Sequence, residues 1–509
     1  MNSESRVQKS ILNAKVNVFF YLLSLLLAFF SRKIFLDCLG ADFVGLTGTI
    51  GNLLAFLNLA ELGVGTAISY VLYTPLFEKN KEKIKQIIST LGYLYCRIGY
   101  LILIGGVILG CFLPMIFRNA EIALSIIFLS YIVFLVSSLI TYFINYRQTL
   151  LSADQKYYIV SSYSQSVKLI KSLVQMGVTY YTQNYYYWII LELLFNIIYC
   201  VVLNRKIRHI YPWLTCGAKE GKQYLILFPE IKIKIKQIFI QKIAFLIQER
   251  GIPFLIFVFA SLQTVAYYGN YTLITIAVSS LLYQALESFN SGVGNLIAEG
   301  KKDKIIQVFW EIFILRFYVT SIFSIVIVLS THSFIAIWLG EKYVLSNTIL
   351  VLIIADMFIR NTRGALIQFT QGYGLFDDTW AAYVESAINL GLALFLGYFY
   401  GIKGVLLGGV IGMFIIAFGW KPYYLFKRGI KIKLKPFYLE SLKYIFAFGI
   451  CCSICYYLQT TFNLTLDNIY SWGIYTIVVT IIASLLLGCT LYLLTNHFKI
   501  LLKRLKRYE

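Results

Sequence analysis

The sequence predicts an all-α polytopic membrane protein: about fourteen transmembrane helices forming two pseudo-symmetric six-helix lobes, with two extra helices at the C-terminus. Three observations predict it. Of 509 residues, 59% are hydrophobic and only 14% charged, with a mean hydropathy of +0.74, which is outside the range of a soluble domain of this length. Apolar runs of spanning length recur through the whole chain. Lys and Arg fall in alternate connections, 33 on one side against 5 on the other, as the positive-inside rule requires of a protein with both termini in the cytoplasm. The net charge of +21 is thereby topology and attraction to anionic lipid headgroups, and no nucleic-acid footprint is left over.

In order, the runs cover residues 13 to 35, 43 to 73, 87 to 114, 121 to 143, 158 to 181, 184 to 204, 239 to 262, 270 to 298, 306 to 330, 348 to 371, 378 to 400, 402 to 426, 439 to 460 and 472 to 495. The first is long and lacks a small-residue cleavage site, so it reads as an uncleaved span. The second starts at a Leu39-Gly40 corner and carries Gly45, Gly48, Gly51, Gly63 and Gly65, small residues that permit bending and close helix contact. Residues 1–204 form a first lobe and 205–238 a basic connection. Residues 239–426 form a second lobe, and 427–509 hold a basic loop and the last two spans. Within the connection, Ile231-Lys232-Ile233-Lys234-Ile235-Lys236 alternates like a strand; it reads as interfacial cationic chain, or equally as a solvated linker.

An internal echo supports two related halves. Leu62-Gly63-Val64-Gly65 returns as Ser291-Gly292-Val293-Gly294, and Lys81-Glu82-Lys83-Ile84 returns as Lys302-Asp303-Lys304-Ile305. Six spans per half place both halves in the membrane with the same polarity, a parallel repeat. Gly63, Gly65, Gly292 and Gly294 are the expected hinges.

Function is sought among charges inside the spans, which are costly unless paired or facing a cavity. The cations there are Arg97, Lys168, Lys171, Arg250, Arg316, Arg360 and Arg363; the acids are Glu61, Glu192, Glu249, Glu287, Glu311, Asp356 and Glu385. Asp356 and Arg360 share a helix face at i, i+4 and neutralise each other, with Arg363 one turn further on. Lys168 and Lys171 share a face with no acid at helical spacing in their span. They either bind an anion such as pyrophosphate or pair with Glu192 or Glu61 of neighbouring helices. Glu61 and Glu287 are candidate carboxylates for a coupling ion, Na⁺ or H⁺; no other cofactor and no metal is expected. Catalysis has little to work with: the three histidines, His209, His332 and His497, lie in loops or at span ends. The Cys452–Cys455 C-x-x-C lacks further ligands for a metal and reads as packing.

Leu39-Gly40, Val44-Gly45-Leu46, Ala60-Glu61-Leu62-Gly63-Val64-Gly65, Leu72-Tyr73-Thr74-Pro75-Leu76, Tyr268-Gly269-Asn270-Tyr271, Trp338-Leu339-Gly340 and Gly401-Ile402-Lys403-Gly404-Val405 together resemble the polysaccharide flippases. These are the O-antigen and capsular repeat-unit translocases of the multidrug/oligosaccharidyl-lipid/polysaccharide exporter superfamily. The resemblance covers roughly residues 10 to 430. It implies two six-helix lobes around a central cavity in a bacterial inner membrane, and movement of a polyprenyl-pyrophosphate-linked oligosaccharide between leaflets by alternating access. It also implies Arg32, at the outer end of the first span, as a headgroup contact; the charges within the spans add Arg97, Lys168, Lys171, Arg250, Arg360 and Arg363 as candidate substrate-binding cations. The implied partners are the lipid-linked oligosaccharide, membrane lipids, and the polysaccharide polymerase and chain-length machinery. Many relatives carry an Asp in the seventh span, where this chain has Gln248-Glu249-Arg250-Gly251-Ile252-Pro253, so no coupling role carries over there. A multidrug or cation antiporter of the same superfamily is the alternative, and an integral membrane enzyme of glycan assembly a third.

Overall fold

A computed structural model describes residues 6–58, 64–118, 120–154, 156–215, 217–287, 293, 296–297, 299–375, 377–462, 466 and 468–505. Among them there are helices and connections but no strand. Helix is what a chain in hydrocarbon must form, because it satisfies every backbone N–H and C=O within one segment. The chain divides into two compact units, Met1–Ala266 and Tyr267–Glu509.

The first unit contains α1 (Arg6–Leu39), α2 (Ala41–Leu57), α3 (Val64–Phe77), α4 (Lys81–Ile116), α5 (Leu124–Ile144), the short α6 (Gln148–Ala153), α7 (Tyr157–Thr182), α8 (Tyr185–Ile210), α9 (Gly221–Leu227), α10 (Pro229–Phe259) and the start of α11 (Leu262–Glu287). Gly40 separates α1 from α2 at φ 91°, a backbone geometry that glycine adopts without a Cβ penalty. Asn80 caps α4 by accepting from the Lys83 N–H at 3.1 Å, and Asn184 caps α8 by accepting from the Tyr186 N–H at 2.9 Å. Between α7 and α8 the chain reverses through Gln183 in the left-handed region. An aromatic cluster in which Phe35 stacks on Tyr185 and Trp188, and Phe43 stacks on Tyr185, joins α1, α2 and α8.

The second unit holds the rest of α11, then α12 (Lys302–Leu339), α13 (Asn347–Thr362), α14 (Gly364–Gly372), α15 (Thr379–Tyr400), α16 (Ile402–Ile430, with π-helical stretches at Ile415–Trp420 and Leu425–Ile430), α17 (Lys435–Phe462), α18 (Ile469–Leu494) and α19 (Asn496–Leu505). α12 is its central post: Phe309, Trp310, Phe313 and Phe317 are buried against Phe369, Phe426, Phe437 and Tyr444. α15 and α16 pack backbone to backbone. A Cβ at Gly404, Gly408 or Gly412 would lie 1.9 Å from the Leu396 carbonyl, 2.4 Å from the Ala393 nitrogen and 1.9 Å from Asn389 Oδ1 respectively. This is the small-residue spacing that lets membrane helices approach most closely.

Ten helices among the described residues are long and apolar enough to cross a membrane. Of the other expected runs, 348–371 divides into α13 and α14 and 158–181 is α7, which carries Lys168 and Lys171; 239–262 falls in α10, and 43–73 is represented by α2 and α3 on either side of residues that lie outside the described ones. The alternating stretch 231–236, expected as interfacial chain or linker, belongs to α10, which starts at Pro229, a proline at the favoured first helical position. Of the expected hinge and coupling residues, Glu61, Gly63, Gly292, Gly294 and the side chain of Glu287 lie outside the described residues.

Gly408→Val should lower the thermal unfolding midpoint and the yield of monodisperse protein, since an overpacked contact costs roughly 1–3 kcal/mol. Gly391→Val on the facing α15, where a Cβ meets nothing within 4 Å, is the control and should stay near the parent. Equal behaviour of the two variants in size-exclusion melting would contradict the close α15–α16 contact.

Candidate functional site

The expected cations of the first unit lie in different settings. Lys171 on α7 pairs with Glu192 on α8 at 2.6 Å, both side chains about one-fifth exposed. Gln175 completes the arrangement, donating to Glu192 Oε2 at 3.2 Å and to the Trp188 carbonyl at 3.1 Å. Lys168, one turn earlier, is exposed and makes no ion pair among the described residues. Arg97 on α4 is exposed, with its guanidinium 5.4 Å from the Tyr93 ring centroid. Arg250 on α10 donates to Asn52 Oδ1 on α2 at 3.3 Å. Arg32 on α1 donates to the Ala266 carbonyl at 2.8 Å.

In the second unit the charges form pairs. Arg360 holds Asp356 on the same helix face through two contacts, 2.7 and 3.2 Å. Arg363, which has no acid three or four residues away on its own chain, reaches Glu385 of α15 at 2.7 Å, with side-chain exposures of 17% and 5%. The helix breaks at Arg363, between α13 and α14, and the buried Arg316 of α12 lies over that break: a Cβ on Gly364 would stand 2.4 Å from its Nη1. Arg316 Nε donates to Gln368 Oε1 at 3.3 Å, and Gln368 Nε2 to the Leu286 carbonyl at 2.9 Å. The structure thus places Arg360 in the last turn of α13 and Arg363 at its C-terminal cap, each against an acid, and holds Lys171 against an acid while leaving Lys168 open. Gln175 and Gln368 escaped the reading of charges alone. The signal was polar residues at helical spacing from Lys171 and within reach of Arg316 in otherwise apolar runs.

Each unit also contains a cavity. That of the first unit, ≈ 560 Å³, lies between α3, α6, α7 and α8 and is lined by Tyr, Ser, Thr and Gln side chains with Gly65, without a charged residue. Beside it, in the connections, Tyr211 donates to Asp154 at 2.7 Å and Asp154 pairs with Lys156 at 2.6 Å. Burial, followed by the Asp154 carboxylate, pushes the Tyr211 hydroxyl above its ordinary pKa. The cavity of the second unit, ≈ 680 Å³, is walled by apolar side chains of α12, α13, α16 and α17, among them Phe317, Phe358, Phe414 and Phe448.

Glu385→Gln leaves Arg363 without its partner in a low-dielectric site, a loss of about 3 kcal/mol for a buried pair. It should appear as a clear fall in the melting midpoint in detergent, with the Glu385→Gln/Arg363→Gln double variant losing less than the two single losses combined. Additive losses would mean the pair is not coupled.

No family model matches the chain, and no curated protein matches it in sequence. Solved structures do match. The inward closed conformation of the lipid II flippase MurJ aligns over 95% of this chain and 99% of its own, at 14% identity and a TM-score of 0.64. An inward-facing multidrug resistance MATE family transporter of the MOP superfamily aligns over 83% of this chain and 98% of its own, at 14% identity and a TM-score of 0.59. An outward-facing transporter of the same description aligns over 84% and 97%, at 12% identity and a TM-score of 0.50. All three are transporters rather than enzymes. This chain has the fold of the MOP-superfamily transporters.

Proposed function

We propose that this protein is a flippase: it moves a polyprenyl-pyrophosphate-linked oligosaccharide from the cytoplasmic to the outer leaflet of a bacterial inner membrane by alternating access. The observation that carries this reading is the apolar cavity of the second unit. It has the chemistry of a lipid tail, and several of its lining side chains, Val351, Phe414 and Tyr456 among them, are half or more exposed on the helix surface. α17, one of the two helices beyond the six-helix repeat, supplies one wall. The likeness to the lipid II flippase supports the same reading.

The diphosphate is met in the first unit by Lys168, the exposed α7 cation not held by an acid. A lysine there facing lipid would cost about 2.5–3.5 kcal/mol, and an anionic headgroup removes that cost. Na⁺ or H⁺ is the proposed coupling ion. The likeness to multidrug transporters favours a second reading, an antiporter of amphipathic cations, for which removing Lys168 would leave transport unchanged or improved.

Ala355→Trp, which places an indole in the apolar cavity, should reduce surface glycan in the host while protein abundance holds. Lys168→Ala should reduce export roughly tenfold, the loss of one charge-assisted contact, with Lys168→Arg retaining most of it. Normal export in Ala355→Trp would remove the tail site, and normal export in Lys168→Ala the headgroup contact. Altered drug susceptibility with normal glycan on depletion would replace the flippase by the antiporter.

A further inference from the structure

The uncharged cavity of the first unit is not needed to hold a diphosphate or a lipid tail. We infer that it is a subsite for neutral sugar: a pocket that takes the uncharged, hydroxyl-rich residues of the saccharide beyond the one bonded to the diphosphate, while that first residue and the diphosphate stay outside. This rests on the flippase reading and names the part of the substrate that the site recognises.

Three features carry it. The first is size: ≈ 560 Å³ lies within the roughly 300–1,000 Å³ typical of small-molecule pockets. The second is chemistry. The wall has neither a Lys or Arg to hold phosphate nor a carboxylate to hold a cation, but it does have hydroxyls and two carboxamides, Gln148 and Gln165. Such groups both donate and accept, as a polyol requires. Tyr199 is already oriented within it, its hydroxyl donating to Gln148 Oε1 at 3.2 Å. The third is an open valence: Gln165 Oε1 is buried and accepts no hydrogen bond within the described protein. A buried carboxamide oxygen without a donor is costly, and a sugar hydroxyl supplies one. At the rim the rings of Tyr73 and Tyr157 are about half exposed, flat surfaces of the kind on which the apolar face of a pyranose packs. Gly65 lines the pocket, and a Cβ there would already stand 3.2 Å from the Tyr95 hydroxyl; glycine at this position keeps the space open.

The test uses the full chain in proteoliposomes with two probes: a polyprenyl pyrophosphate bearing one N-acetylhexosamine and another bearing a neutral trisaccharide. The parent protein is expected to move the trisaccharide probe faster. Gln165→Leu, which keeps the volume and removes the acceptor, should slow the trisaccharide probe roughly three- to tenfold and leave the single-sugar probe unchanged. Ser164→Leu, which intrudes on the same pocket, should act likewise. Equal loss for both probes, or loss for neither in both variants, overturns the subsite. If the parent protein moves neither probe, the flippase reading falls, and the subsite with it.

Discussion

The controlling constraint is that a bilayer core offers no water to a charge or to an open backbone group, so each must be satisfied by the chain itself. The positions of the helices follow from how this is done. Lys171, Glu192 and Gln175 tie α7 to α8, and Arg363 with Glu385 ties α13 to α15. Even the break between α13 and α14 has a cation over it, from Arg316, in space left by the missing side chain of Gly364. Pairs of this kind contribute less by net attraction than by making any other arrangement expensive.

Charges removed in this way leave two distinct environments. The cavity of the first unit is polar but neutral, and that of the second is apolar. On the proposed function, the first has the chemistry of a hydroxyl-rich head and the second that of a hydrocarbon tail, and Lys168 is the open cation proposed for the diphosphate. A small amphipathic cation gains nothing from the open lysine, and that is what favours the flippase reading over the antiporter.

Much of the fold was legible in the sequence, because spans depend on run length and loop charge, quantities that need no tertiary information. Helix breaks were less so. The run 348 to 371 reads as one span, yet it divides at Arg363, where Arg316 from a helix some fifty residues away lies over the break. The stretch 231 to 236 alternates like a strand but is helical, since membrane proximity and Pro229 outweigh a six-residue pattern. In the site, Asp356–Arg360 followed from i, i+4 spacing. The choice of Glu192 for Lys171 did not, because spacing within one helix says nothing of its neighbour. The neutral cavity was not legible from charge at all, its lining being ordinary Ser, Thr, Gln and Tyr from four separate helices.

The central claim is leaflet transfer of a lipid-linked saccharide, and the direct measurement is its sidedness in cells depleted of this protein. Spheroplasts and inside-out vesicles would be probed with a membrane-impermeant sugar-modifying reagent. The account predicts that lipid-linked saccharide accumulates and is modified only from the cytoplasmic face, while surface glycan disappears. Saccharide still reaching the outer face at the normal rate would contradict it.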